Sequence, residues 1–252
     1  MQAKRAVLNK LLTHYGKQNW WNHSNRLVDW VSMILIQQTT QLNVERALAN
    51  LEGKLSVATL HAMGEEELQT LIRPAGFYKQ KSSYIKALMA WYVSHGASLD
   101  KFANIPTDEL RMELLSIKGV GEETADAMLL YIFRRNVFIA DQYALRLFTR
   151  LGLTTATTYK ALRAECMPLV ADISLETCQE WHAVIDEHGK AYRRGHTDEA
   201  WLRQEALWTE RSYSFIILIF LSANFWESHC WRRAISTSLS TSLPLTCSLT
   251  GV

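Results

Sequence analysis

Leu110–Leu151, LRMELLSIKGVGEETADAMLLYIFRRNVFIADQYALRLFTRL, is the stretch whose pattern decides the fold. Apolar residues at Leu110, Leu114 and Leu115, and again at Ala125, Met128, Leu129 and Ile132, recur at helical spacing on either side of Gly119-Val120-Gly121. Two helices therefore meet across a two-glycine turn. A third, Gln142 to Leu151, follows a short loop and is closed by Gly152. Glycine lets the chain turn sharply and lets its backbone approach another molecule closely. The unpaired N–H groups that open a helix at Glu122 suit a phosphate. Asp141, at the last junction, reads either as the N-cap of the third helix, a position Asp favours, or as a reactive acid, and the two roles are compatible. Taken alone it is the cap; with the hairpin upstream, catalysis is the better reading. Glu122 and Glu123 read as first-turn acids favoured by the helix dipole.

Composition narrows the class. The 252 residues, 48% hydrophobic and 21% charged, are those of a folded chain with a substantial core. A net charge of +2 does not announce a nucleic-acid partner, so local basic patches must supply any such contact. Cys166, Cys178, Cys230 and Cys247 have no metal spacing and fit reduced thiols. Met1 to His14 reads as an amphipathic helix and not as a secretory leader, so a cytoplasmic location is expected.

Working outward, Trp20-Trp21 precede an apolar helix that starts at Ser24 or Asn25 and runs through Ile36. The tandem Trp reads equally as a hydrophobic staple or as a stacking surface. Gln37-Gln38-Thr39-Thr40 must face water or a ligand, because burying them unpaired is costly. Arg73 to Lys81, RPAGFYKQK, interleaves basic and aromatic residues on a helix-breaking loop, a composition suited to phosphate contact and stacking. Helices are expected at Lys79–His95, from Thr107 with Thr107 as N-cap, at Thr158–Val170 and at Leu175–Glu187, the last closed by Gly189 with His188 as a C-terminal cap. Ser212 to Val252 changes character, from an apolar run too short to span a membrane to a Ser/Thr-rich end. It reads as a frameshifted or fused tail, or as a divergent terminal helix.

The motif KGVGEETA…IAD resembles the L-x-G-V-G-x-K-T-A…V-D pattern of the endonuclease III superfamily of helix-hairpin-helix DNA glycosylases. The resemblance covers about Trp20 to Tyr192 and is nearest to the 3-methyladenine branch. It implies an all-α, two-lobed fold with a DNA-binding cleft between lobes: a six-helix barrel over 24–136, a second lobe from 1–23 plus 137–210, and an atypical tail over 211–252. The expected partner is double-stranded DNA that contains a damaged base, bound by a monomer, with no membrane partner.

By the same resemblance Asp141 is the catalytic acid. Lys118, Gly119, Val120 and Gly121 hold a DNA phosphate, and the carbonyls of Leu115, Ile117 and Val120 bind a structural Na+ or K+. Trp20 and Trp21 line the base pocket, where their faces favour an electron-poor alkylated purine. Gln37 fills the space left by the flipped nucleotide, and Phe77 is a wedge beside it. Departures from the pattern select the chemistry. The lysine that forms an imine in bifunctional members is Glu123 here, which implies a monofunctional enzyme. Met33 stands where adenine glycosylases carry a catalytic Glu. The four cluster cysteines do not follow His188-Gly189, so no iron–sulfur cluster is expected. The loop before Asp141 lacks the family's Pro, and Gln41 occupies an aromatic pocket position. The alternatives are a glycosylase for mispaired or oxidised bases and a non-catalytic helix-hairpin-helix DNA-binding protein.

Overall fold

A computed structural model describes residues 1–21 and 25–204. The expectations for the tail, including Cys230 and Cys247, and for Ser24 lie outside the described residues. Every regular element among the described residues is helical: α1 (Gln2–Tyr15), α2 (Arg26–Leu35), α3 (Gln41–Asn50), α4 (Val57–Ala62), α5 (Glu65–Leu71), α6 (Tyr78–Ser94), α7 (Thr107–Ser116), α8 (Glu122–Tyr131), α9 (Gln142–Arg150), α10 (Tyr159–Cys166) and α11 (Leu175–Arg193). Short 3-10 turns lie at Arg73–Ala75, Leu99–Phe102 and Met167–Leu169. None of the described helices is long and apolar enough to cross a membrane.

Local chemistry sets the boundaries. Asn25 caps α2 by accepting from the Leu27 amide at 3.0 Å, and Ser174 caps α11 by accepting from Thr177 at 3.1 Å. Thr107, expected as a cap, is instead the first residue of α7, and Pro106 precedes it without a side-chain bond. Helix α11 also runs past its expected end. Gly189 does not stop it but lies against α9, where an added Cβ would sit 2.1 Å from the Tyr143 ring. Accordingly His188 is not an end cap. It is fully buried inside α11, with Nδ1 3.0 Å from the Tyr15 hydroxyl and Nε2 3.3 Å from Glu199.

Helix α2 packs on α3, α6 and α8, and α6 on α4 and α5, with an aromatic core in which the Trp30 and Tyr92 rings lie 4.9 Å apart and Phe102 and Phe133 5.1 Å apart. Helices α1, α9, α10 and α11 pack with one another, and α8 touches α10 and α11. One buried acid ties these groups together. Asp126 on α8, wholly enclosed, accepts from Arg111 of α7 (2.8 and 3.1 Å), Arg163 of α10 (2.8 Å) and the Tyr159 hydroxyl (2.8 Å). Removing the carboxylate would strand two guanidinium groups in the interior, at a cost of about 3–5 kcal/mol.

Candidate active site and DNA-facing hairpin

The hairpin spans Ile117–Gly121 between α7 and α8. Its two glycines do different things. Gly119 has φ +88°, and a Cβ there would lie 2.1 Å from the Tyr84 ring on α6, so both backbone shape and packing demand glycine. Gly121 has ordinary extended backbone and open space where a Cβ would stand. It leaves the opening turn of α8 accessible from outside. Within the turn, the Val120 N–H donates to the Ile117 carbonyl (3.0 Å) and the Ala125 N–H to that of Gly121 (2.8 Å). The carbonyls of Leu115 and Val120 accept from no described residue outside helical bonding, and the Ile117 oxygen keeps a second lone pair.

Gln37 is committed to the hairpin. Its amide nitrogen donates to Gly119 O (3.0 Å) and approaches Thr124 Oγ1 (3.3 Å), so it braces the turn instead of projecting outward as expected. The neighbouring Gln38 is exposed, with left-handed backbone at φ 54°. Nothing in composition distinguishes the inward amide of this Gln-Gln pair from the outward one. Phe77 is also left-handed (φ 46°) and 57% exposed at the head of α6. Its neighbour Tyr78 packs on the core beneath the Arg73 guanidinium, 5.5 Å away. Met33 is half-buried on the inner side of α2.

Asp141 caps α9, its Oδ1 accepting from the Ala144 amide at 2.7 Å. It is 8% exposed, and burial, reinforced by the charges of Glu123 and Asp186 against the opposing Ala144 bond, pushes its carboxyl up to about 7. Desolvation by the surrounding protein also raises the Glu123 carboxyl, although its side chain reaches the surface. The loop that delivers Asp141 needs no proline. The Arg135 guanidinium donates to Phe102 O (2.8 Å) and Ala103 O (2.9 Å), and Asn136 donates to Val170 O (3.1 Å) and Ile173 O (2.7 Å). Between these anchors and Asp141, Val137–Ala140 is buried.

Two side chains that sequence reasoning passed over join Asp141. His182 of α11 places Nε2 3.8 Å from Asp141 Oδ2, and its Nδ1 lies 2.5 Å from the Tyr131 hydroxyl. Burial pushes His182 down to about 4 and Tyr131 well above its usual range, so both are neutral near pH 7. The Tyr131 hydroxyl also donates to Gln179 O, 3.4 Å away, so it bridges the ring to the α11 backbone. Around this pair the Trp20 ring lies 5.1 Å from Tyr131 and 6.4 Å from His182, and Trp21 lies 5.6 Å from Tyr131. The two Trp rings meet edge to face, 5.5 Å apart at 80°. The 45% exposure of Trp20 leaves part of its surface for a ligand, whereas Trp21 packs against the core. The tandem Trp thus forms an aromatic wall with Tyr131.

An all-helical chain with a glycine hairpin, a capping acid held near neutrality and an aromatic surface beside it defines a helix-hairpin-helix DNA glycosylase. The chain belongs to the HhH-GPD superfamily of base excision DNA repair proteins, whose family model matches residues 31–172. It is 40% identical over 188 residues to the Methanocaldococcus jannaschii protein MJ1434, named as a DNA repair glycosylase, covering 73% of this chain and 86% of that one. It is 28% identical to Treponema pallidum endonuclease III over 189 residues, or 75% and 85% of the two chains. Among solved structures, Helicobacter pylori 3-methyladenine DNA glycosylase bound to 1,N6-ethenoadenine shares the fold with a TM-score of 0.60 at 24% identity, over 75% of this chain and 96% of that one. A thermostable thymine-DNA glycosylase also shares it, with a TM-score of 0.60 at 18% identity, over 74% and 83% of the two chains. The fold is therefore common to enzymes named for different bases, and the choice of base must be argued from the site.

Proposed function

We propose that this DNA glycosylase is monofunctional and removes alkylated purines such as 3-methyladenine from duplex DNA by hydrolysing the N-glycosidic bond. The observation that carries the reading is the aromatic wall of Trp20, Trp21 and Tyr131 beside Asp141, with Glu123 and no amine at the lysine position. A methylated purine carries positive charge, which an aromatic face attracts, and it leaves the sugar without strong help from an acid. One carboxylate then suffices. Asp141 stabilises the cation that develops at C1′ and orients the attacking water, while Nε2 of His182 faces it from α11.

The remaining residues divide into phosphate and helix-penetrating groups. Lys118 and the amides around Gly119, Val120 and Gly121 hold a backbone phosphate, and a Na+ or K+ on the carbonyls of Leu115, Ile117 and Val120 adds positive charge there. Phe77 and Gln38 are the exposed tips that enter the duplex where the nucleotide leaves.

Incubation with methylated duplex DNA, followed by chromatography of the released bases, tests the reading. Free 3-methyladenine is expected. Release only of thymine or of an oxidised base would overturn the choice of substrate. Tight binding to abasic duplex with no base released from any lesion would mean a non-catalytic binding protein.

A further inference from the structure

Lys81, on the first turns of α6, is 2% exposed and pairs with no carboxylate among the described residues. Its ammonium instead donates to two backbone carbonyls, Leu35 O at 2.7 Å and Ala75 O at 2.8 Å. Those carbonyls end two separate segments. Leu35 is the last residue of α2, just ahead of Gln38, and Ala75 closes the 3-10 turn just ahead of Phe77. The Lys81 N–H also donates to Phe77 O at 2.9 Å. One residue therefore grips the roots of both exposed tips.

Both tips have left-handed backbone, which residues other than glycine adopt only when the surroundings impose it. A flexible surface ion pair would not impose it. A buried ammonium bonded to two fixed carbonyls does, since breaking either bond leaves unpaired polar groups in the interior. Tyr84, one helical turn beyond Lys81, carries Gly119 on its ring, and Gln37 bonds Gly119 O from the α2 end. The hairpin and the two tips are thus seated on the same helix.

We propose that Lys81 is a positioning residue that holds Gln38 and Phe77 at one fixed separation, so that they enter a duplex together as a single tool. This rests on the reading above that the two tips penetrate DNA. The prediction is cooperativity. Q38A and F77A each weaken binding to duplex containing a tetrahydrofuran abasic analogue, and in the parent protein the double variant loses on the order of tenfold less than the product of the single losses. With K81M in the background the losses multiply, while binding to undamaged duplex, held by the hairpin, changes less than about twofold.

Undiminished non-additivity in folded K81M overturns the proposal. If K81M does not fold, K81Q, whose shorter amide cannot span both carbonyls, takes its place with the same criterion. A stopped-flow measurement with 2-aminopurine beside the lesion needs no change at Lys81. One fluorescence phase slowed by either tip variant supports a single tool, and two phases abolished separately overturn it. Single variants that bind the abasic duplex like the parent would instead refute the penetration reading itself.

Discussion

The Nε2 atom of His182 lies 3.8 Å from Oδ2 of Asp141, and the histidine is neutral while the acid sits near its own midpoint at pH 7. Among the described residues no cation neutralises this carboxylate. In the proposed mechanism the positive charge it meets is the one that forms on the sugar.

Asp141→Asn should abolish release of 3-methyladenine, with a fall of about 10²–10⁴ in the single-turnover rate, and should leave duplex affinity nearly intact. Asparagine caps a helix as well as aspartate does, so the fold survives. Release at the parent rate would remove Asp141 from the chemistry.

The same carboxyl makes stability fall with rising pH. Its folded midpoint, about 7, is above the ordinary value of 3.8, so the folded state binds the extra proton and stability drops as pH climbs from about 4 through 7. The Asn variant lacks that penalty. It should melt above the parent at pH 8, with the gap closing toward pH 4, as followed by circular dichroism. Base release needs the ionised form and should rise with pH through about 7.

Gly119→Ala forces a Cβ into the Tyr84 ring at φ +88° and should lower the melting temperature sharply, by the equivalent of about 2 kcal/mol or more. Gly121→Ala meets open space and should change stability by less than about 0.5 kcal/mol. Its effect should appear in duplex affinity, because the added methyl stands where a phosphate would approach. Comparing thermal melts with binding isotherms for the two variants checks the division of labour.

Borohydride should trap no covalent protein–DNA adduct with the parent chain, because Glu123 has no amine. Glu123→Lys places one beside Asp141 and should produce a trapped species on uracil-derived abasic duplex, visible by gel shift under denaturing conditions. Trapping by the parent would point to another lysine.

Trp20→Ala removes an exposed face and should cost little stability, but it should weaken excision of cationic 3-methyladenine by about 3- to 30-fold, the range of a partly desolvated cation–π contact. An equal loss on a neutral lesion would show that the ring acts by shape alone.

Hairpin, acid and family were legible from Leu110–Leu151 because they depend on local pattern: helical period, glycine turn, capping acid. The partners of Asp141 were not. His182 lies in the run Trp181-His182-Ala183-Val184-Ile185 and Tyr131 ends an apolar helix, so periodicity marks both as ordinary core positions. Only the crossing of α8 and α11 turns them toward the acid. Gln37 and Gln38 were inseparable by composition, since their roles depend on backbone handedness. Asp126 did leave a signal: a charge inside the apolar run Thr124–Leu130 must find buried partners.

Gly189 contributes no charge and no side chain, yet Tyr143, two residues beyond Asp141, rests directly on it. The contact fixes how near α9 can come to α11, and α11 carries His182 as well. Any larger residue there would part the two helices, admit water to the carboxylate and return it toward an ordinary acid. The acidity of Asp141 is therefore written partly into a position with no chemistry of its own.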